Sequence, residues 1–166
     1  MQDCRPMSTP IITNWKKIDA LDDKDVNPTL YRQLIGSLMY LVNTRPDICF
    51  AVITLSQFMV EQKRLHWATT RHIPRHICGT VEYGLKYTQE DDIRLCGYTN
   101  ADWAGSSVDK KSTAGYCFSV GSGMVSWCSK EQKLVALSSA EAEYIAASTT
   151  TCKAIWLRKL LVSLFR

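Results

Sequence analysis

Tyr98-Thr99-Asn100-Ala101-Asp102-Trp103 and Ser138-Ser139-Ala140-Glu141-Ala142-Glu143-Tyr144 are the two runs from which the fold is read. The first lies in a strand pattern over Leu95 to Asp102. Beyond it, Gly115 to Val120 and Met124 to Ser129 alternate in the strand manner. Gly121-Ser122-Gly123 separates them, which is a hairpin signal. Ser138 and Glu141 form a capping-box pattern that opens a helix. Ala142, Ile145, Ala146, Thr149, Cys152, Trp156, Leu160 and Leu164 then keep the helical period to the end of the chain. One strand, a hairpin and a long helix make residues 93–166 an α+β unit.

Upstream the pattern is helical. Residues 1–26, with Pro6, Pro10 and Asp22-Asp23, carry turn signals and little periodicity, and read as an extended linker. Asn27-Pro28 reads as an N-cap followed by proline at the first helical position. Leu30, Leu34, Leu38 and Leu41 predict an amphipathic helix over Thr29 to Val42. Pro46 stops it and starts a second, with Ile48, Ala51, Val52, Leu55 and Phe58 on one stripe to about Val60. A third is predicted from Leu65 to Cys78, with Trp67, Ile73 and Ile77 inward and Gly79 as terminator. Pro74 inside it predicts a kink or break, because an interior proline loses a hydrogen bond and clashes with the preceding turn. Val81 to Thr88 reads as a short strand, and Gln89-Glu90-Asp91-Asp92 as a polar turn. Residues 27–92 thus form a helical segment ahead of the α+β unit.

The length of 166 residues and a hydrophobic content of 46% allow a packed core and argue against disorder. A net charge of +4 is compatible with nucleic acid without demanding it. The seven cysteines form no Cys-x-x-Cys pair and have no histidines at zinc spacing, so they read as mostly buried free thiols in a reducing compartment. No basic segment followed by an apolar run opens the chain, so no cleaved secretory signal is readable. No apolar stretch approaches the ~20 residues that span a bilayer.

Several ordered blocks carry a resemblance. They are Asp3-Cys4-Arg5-Pro6-Met7-Ser8-Thr9-Pro10, Tyr31-Arg32-x-x-Ile35-Gly36-Ser37-Leu38-x-Tyr40-Leu41, Thr44-Arg45-Pro46-Asp47, His66-Trp67 and Gly79-Thr80-Val81-x-Tyr83-Gly84-Leu85. Ala101-Asp102-Trp103-Ala104-Gly105, Lys111-Ser112-Thr113-x-Gly115-Tyr116 and Ala136-Leu137-Ser138-Ser139-x-Glu141-Ala142-Glu143-Tyr144 continue them. Together they resemble the copia-class LTR retrotransposon polyprotein, from the end of the reverse transcriptase through the first half of the ribonuclease H domain. The resemblance implies a helical connection segment followed by a truncated ribonuclease H-like half-domain of three antiparallel strands and one long helix. The first strand would then be a sheet edge whose backbone is open to another chain.

What the resemblance implies chemically is two-metal hydrolysis, in which carboxylates hold a pair of Mg²⁺ ions. The family's helix glutamate falls at Glu143. Its first-strand aspartate falls at Asn100, which offers a neutral carbonyl oxygen and no charge. Asp102, two residues on, projects to the same strand face as Asn100. The later carboxylates have no counterpart within the 166 residues, and the polymerase's aspartate pair would fall before Met1. The expectation is therefore an incomplete Mg²⁺ site, no cofactor and no catalysis.

Other readings stand beside this one. Glu141 reads as the capping residue, and Asp22-Asp23 and Asp91-Asp92 as solvated turns. Lys63, Arg64, Arg71 and Arg75, with His66, His72 and His76, cluster positive charge on the third helix. They are candidates for weak nucleic-acid binding, against the plain alternative of a solvated face. Trp103 and Trp127 read as strand residues of the core, with base stacking as the alternative. Cytoplasm or nucleus fits the free cysteines. A third reading rests on resemblance: short reading frames similar to this polyprotein region occur among secreted RxLR-type effectors of downy mildew pathogens, viewed as suppressors of plant host cell death. Such a chain would be secreted, delivered into a host cell and act through a protein partner. No Arg-x-Leu-Arg run is present to support that label.

Overall fold

The computed structural model describes residues 4–12, 15, 26–89, 94–105 and 110–164. The chain divides into two compact units, Met1–Gly84 and Leu85–Arg166. The acidic pairs Asp22-Asp23 and Asp91-Asp92 lie outside the described residues.

The first unit is helical. Its first helix, α1 (Pro28–Leu41), opens on Asn27, whose side chain accepts from the backbone N–H groups of Thr29 at 2.9 Å and Leu30 at 3.3 Å. Proline at the first position loses nothing, because that N–H has no helical partner in any case. A 3₁₀ turn, Pro46–Ile48, leads into α2 (Cys49–Ser56). This helix ends four residues before the predicted Val60. Phe58 still packs inward from the following turn, stacked on the His66 ring with centroids 3.8 Å apart.

The predicted third helix is two helices. α3 (Arg64–Thr70) and α4 (His72–Gly79) meet at Arg71, three residues before Pro74. A continuous helix would drive the Pro74 ring against the Thr70 carbonyl. Restarting at His72 puts Pro74 in the first turn of α4, where a missing N–H costs nothing. Tyr31 and Ile35 of α1, Ile48, Val52 and Leu55, and Ile73 of α4 are fully buried in one core with Trp15 at its margin. The Tyr31 hydroxyl donates to the Leu55 carbonyl at 2.7 Å, satisfying a polar group that burial would otherwise penalise.

The second unit is a three-stranded antiparallel sheet in the order β1 (Leu95–Asp102), β2 (Thr113–Val120), β3 (Gly123–Glu131), followed by α5 (Ser139–Leu164). The α+β reading therefore holds. Val120 pairs with Gly123 across a two-residue turn, and Gly121 adopts the positive φ of 55° that such turns reserve for glycine. Val81 to Thr88 is not a strand. Instead of ladder bonds, the Tyr87 hydroxyl donates to the Met124 carbonyl at 2.7 Å and the Thr88 N–H to Ser122 Oγ at 3.0 Å. Alternating side chains without a strand to pair with are read falsely as a strand.

Half of the predicted capping box forms at the head of α5, and its return bond falls on Leu137 instead of Ser138. Ser138 Oγ accepts from the Glu141 N–H at 3.2 Å, and the Glu141 carboxylate accepts from the Leu137 N–H at 2.6 Å. The predicted inward stripe is correct at Ala142 and Ala146, then slips by about one position. Ala142, Ala146 and Leu157 are buried, whereas Trp156, Leu160 and Leu164 are exposed. Residue type misleads here: the small or polar Thr150, Lys153 and Ala154 are half-buried while the indole beside them faces out.

Two outcomes follow. A Cβ at Gly97 would lie 2.3 Å from Cε1 of Phe118, whose side chain is only 2% exposed. Gly97→Ala is therefore expected to destabilise the sheet unit by about 1–3 kcal/mol, read from denaturant midpoints, and Phe118→Leu in the same chain to recover part of the loss. The second outcome concerns acid. Burial holds His66 and His72 below their ordinary value of 6.5, aided at His66 by Lys63 and at His72 by Arg75. The unfolded chain then binds protons the folded one refuses, so this stability is complete above about pH 6.5 and is lost as pH falls toward the folded values. Urea midpoints should drop between about pH 7.5 and pH 5.5. His66→Gln, which keeps an acceptor for the Lys63 N–H, should flatten that slope.

Candidate functional site

β1 is the outer strand of the described sheet, and α5 packs against it. Two contacts join them. The hydroxyls of Thr150 and Thr99 lie 2.9 Å apart, and Glu143 Oε1 accepts from the Ala101 N–H at 3.1 Å. Gly97, Thr99 and Phe118 line a cleft with Ala147, Thr150 and Ala154 of α5. Alternation along the strand therefore sends Tyr98, Asn100 and Asp102 to the opposite face. That face is open: Tyr98 is 69% exposed, and Asn100 and Asp102 are exposed beside it.

The three residues singled out in the sequence are thus divided. Asn100 and Asp102 share a face, as strand period requires, and Glu143 approaches from the helix side. Asn100 brings a neutral amide. The Asp102 carboxylate folds back on the turn after β1, where a Cβ at Gly105 would lie 2.3 Å from its Oδ2. Glu143 is engaged with a backbone N–H at the strand margin. A pair of hard divalent ions needs several anionic oxygens converging on one point, and these three residues supply two carboxylates and one neutral amide. Among the described residues no group of three or more His, Cys, Asp or Glu side chains is placed to hold a metal ion.

The cationic candidates are also divided. Lys63, Arg64 and Arg71 are exposed, at or beside the two ends of α3. Arg75 is half-buried, and its Nε donates to the Arg5 carbonyl at 3.0 Å. His66, His72 and His76 are buried and contribute no outward face. Trp103 is neither in the strand nor in the core. It stands in the turn after β1, 49% exposed, with its indole N–H donating to the Ala136 carbonyl at 3.0 Å. Trp127 is half-buried on β3.

Other motif residues serve the fold in ways the sequence did not announce. Arg45 forms a bidentate pair with Asp47, at 2.9 and 2.7 Å, and reaches Thr80 Oγ1 at 2.6 Å and the Thr80 carbonyl at 3.2 Å. His76 lies between Asp47 Oδ2 at 3.2 Å and the Met7 carbonyl at 3.1 Å. The Arg45 guanidinium, through its hydrogen bond, holds Asp47 below the usual carboxylate range. Ser112, fully buried, accepts from the Ala104 N–H at 3.2 Å and through its carbonyl from the Gln132 N–H at 2.8 Å. The only signal for these roles was their place inside the motif blocks.

The chain is 38% identical over 164 residues to the retrovirus-related Pol polyprotein of transposon RE2 from Arabidopsis thaliana, covering 99% of this chain and 11% of that protein. It is 40% identical over 171 residues to the Pol polyprotein of transposon TNT 1-94 from Nicotiana tabacum, covering 99% of this chain and 13% of that one. The chain belongs to the copia-type Pol family. It is also 45% identical over 128 residues to the secreted RxLR effector protein 161 of Plasmopara viticola, covering 76% of this chain and 90% of that protein. This copia-type chain therefore spans about a tenth of the length of the polyproteins and most of the length of the effector. No family model matches it, and no solved structure does.

Removing the Glu143 carboxylate tests the attachment at the strand margin. Glu143→Ala should speed amide exchange at Ala101 several-fold, while the Leu137 amide, held by Glu141, keeps its protection.

Proposed function

We propose that this retrotransposon-derived Pol sequence has no ribonuclease H turnover of its own and uses no metal cofactor. The observation that carries the reading is the placement of Asn100, Asp102 and Glu143. One is uncharged, the carboxylate of the second lies against its own turn, and the third accepts the Ala101 N–H at the strand margin. The charge of two carboxylates falls short of the set that holds two metal ions, activates a water and neutralises a leaving oxygen. In this reading the chain acts, if it acts, in the cytoplasm or nucleus as a passive remnant of polymerase and nuclease sequence.

The test is direct. Purified chain is incubated with an RNA–DNA hybrid and Mg²⁺ or Mn²⁺, beside Asn100→Asp. Neither protein is expected to cleave, since even three carboxylates fall short of the set that two-metal hydrolysis uses. Cleavage by the unmodified chain that disappears in Glu143→Ala would overturn the reading.

A second reading has its own support in the effector relative, most of whose length this chain matches at 45% identity. Here the chain is a secreted effector that suppresses host cell death by binding a protein, with the outer edge of β1 as the contact. Its test is expression in plant cells beside a death elicitor: reduced necrosis supports it, and unchanged necrosis removes it. Weak nucleic-acid binding through Lys63, Arg64 and Arg71 is the remaining reading. Filter binding decides it, because a phosphate contact must weaken with salt.

A further inference from the structure

The sequence predicts mostly buried free thiols, and the structure differs: Cys49 alone of the seven is buried, Cys4, Cys96, Cys117 and Cys128 are half-buried, and Cys78 and Cys152 are exposed. Cys78 is exposed near the C-terminal end of α4, close enough to Cys4 for the Cys4 side chain to raise the Cys78 thiol above its ordinary value. Cys4 is half-buried in the segment that runs along the same helix.

The pairing is supported by the backbone around it. The Met7 N–H donates to the Arg75 carbonyl at 3.3 Å, and Arg75 Nε donates to the Arg5 carbonyl at 3.0 Å. His76 Nδ1 lies 3.1 Å from the Met7 carbonyl. Gly79 packs so closely on this segment that a Cβ there would lie 2.8 Å from Cβ of Pro6. Four neighbouring attachments thus hold residues 5–7, next to Cys4, beside α4. The entropy of bringing residue 4 to residue 78 is already spent by folding, which raises the local concentration of one thiol at the other.

We propose that Cys4 and Cys78 form an intramolecular disulfide in an oxidising compartment, stapling the N-terminal segment to the end of α4. The co-reactant is a small disulfide such as oxidised glutathione. The Cys78 thiolate attacks one glutathione sulfur, so its S–S bond breaks and one glutathione thiolate leaves. The Cys4 thiolate then attacks Sγ of Cys78, forming the protein disulfide and releasing the second glutathione thiolate. The two protein thiols are oxidised, one glutathione disulfide is reduced, and the two protons end on the glutathione thiols. The exposure of Cys78 lets a tripeptide reach it. The neighbouring Cys4 side chain holds the Cys78 thiol above its ordinary value, so attack is slow at neutral pH. Slow formation suits a structural staple and not a fast sensor. The staple also links to compartment: a reducing cytosol leaves the pair as thiols, and secretion closes it.

The full chain is equilibrated, at a concentration where it is monomeric, with reduced and oxidised glutathione in varied ratio. It is then quenched with an alkylating agent and digested without reduction. Mass spectrometry should find one peptide pair joined through Cys4 and Cys78. The thermal midpoint of the oxidised chain should rise by roughly 10 °C, as a long closed loop requires. Cys4→Ser should lose both effects and accumulate a glutathione adduct on Cys78. Cys78→Ala should lose the joined peptides while its circular dichroism stays that of the unmodified chain. The inference fails if the unmodified chain carries glutathione on Cys78 with Cys4 alkylated. It fails equally if either cysteine is joined only to another position or to a second chain.

Discussion

The Glu143 carboxylate on the Ala101 N–H is the contact on which the sheet unit's chemistry depends. It joins the head of α5 to the outer margin of β1, with the Thr150–Thr99 contact two turns further along the helix. Together these lay a 26-residue helix along one face of a three-stranded sheet. The same contact occupies the glutamate that the family resemblance marks for metal. A carboxylate that accepts a backbone N–H gains a charge-assisted bond, and here it serves to attach a helix.

The helical unit has a comparable centre in Arg45 and Asp47. A bidentate arginine–carboxylate pair fixes both groups in one plane. Asp47 then meets His76, and Arg45 meets Thr80, so the 3₁₀ turn is bound to both the middle and the end of α4. His76 extends the network to the Met7 carbonyl, which is how the N-terminal segment comes to lie along α4. A motif block that resembles the junction between polymerase and nuclease is thus, in this chain, a clamp. The placement of Cys4 beside Cys78 is a consequence of that clamp.

Family membership and biochemical role rest on different features of a sequence. Motif blocks carry ancestry because many residues must match in order. Catalysis depends on a few oxygens meeting at one point, and a single change from aspartate to asparagine at position 100 removes a charge from it without disturbing the strand. The blocks at Ser112, Arg45 and Glu141 persist in contacts that hold the fold, and these contacts are independent of any ion. The architecture of this chain therefore rests on contacts other than the carboxylates that the family resemblance marks for metal.

Much of the architecture was legible in the order of residues. The Asn27 cap, the Gly121-Ser122-Gly123 turn, the extent of β1 and the Ser138–Glu141 box depend on neighbours a few positions apart, so local propensity is sufficient to specify them. The interruption near Pro74 was legible in kind, though it falls at Arg71. What required the folded chain was everything set by distant partners. Val81 to Thr88 has strand alternation, but no ladder receives it. Trp156 has the period of an inward residue, but the seam of α5 is chosen by the surface of β1 and β2 and passes through Thr150 and Ala154. His66, His72 and His76 look like part of a basic face, yet burial in the helical core takes them from it. The neighbourhood of Cys4 and Cys78 arises from a loop closed across most of a domain, and no pattern along the chain encodes such a distance.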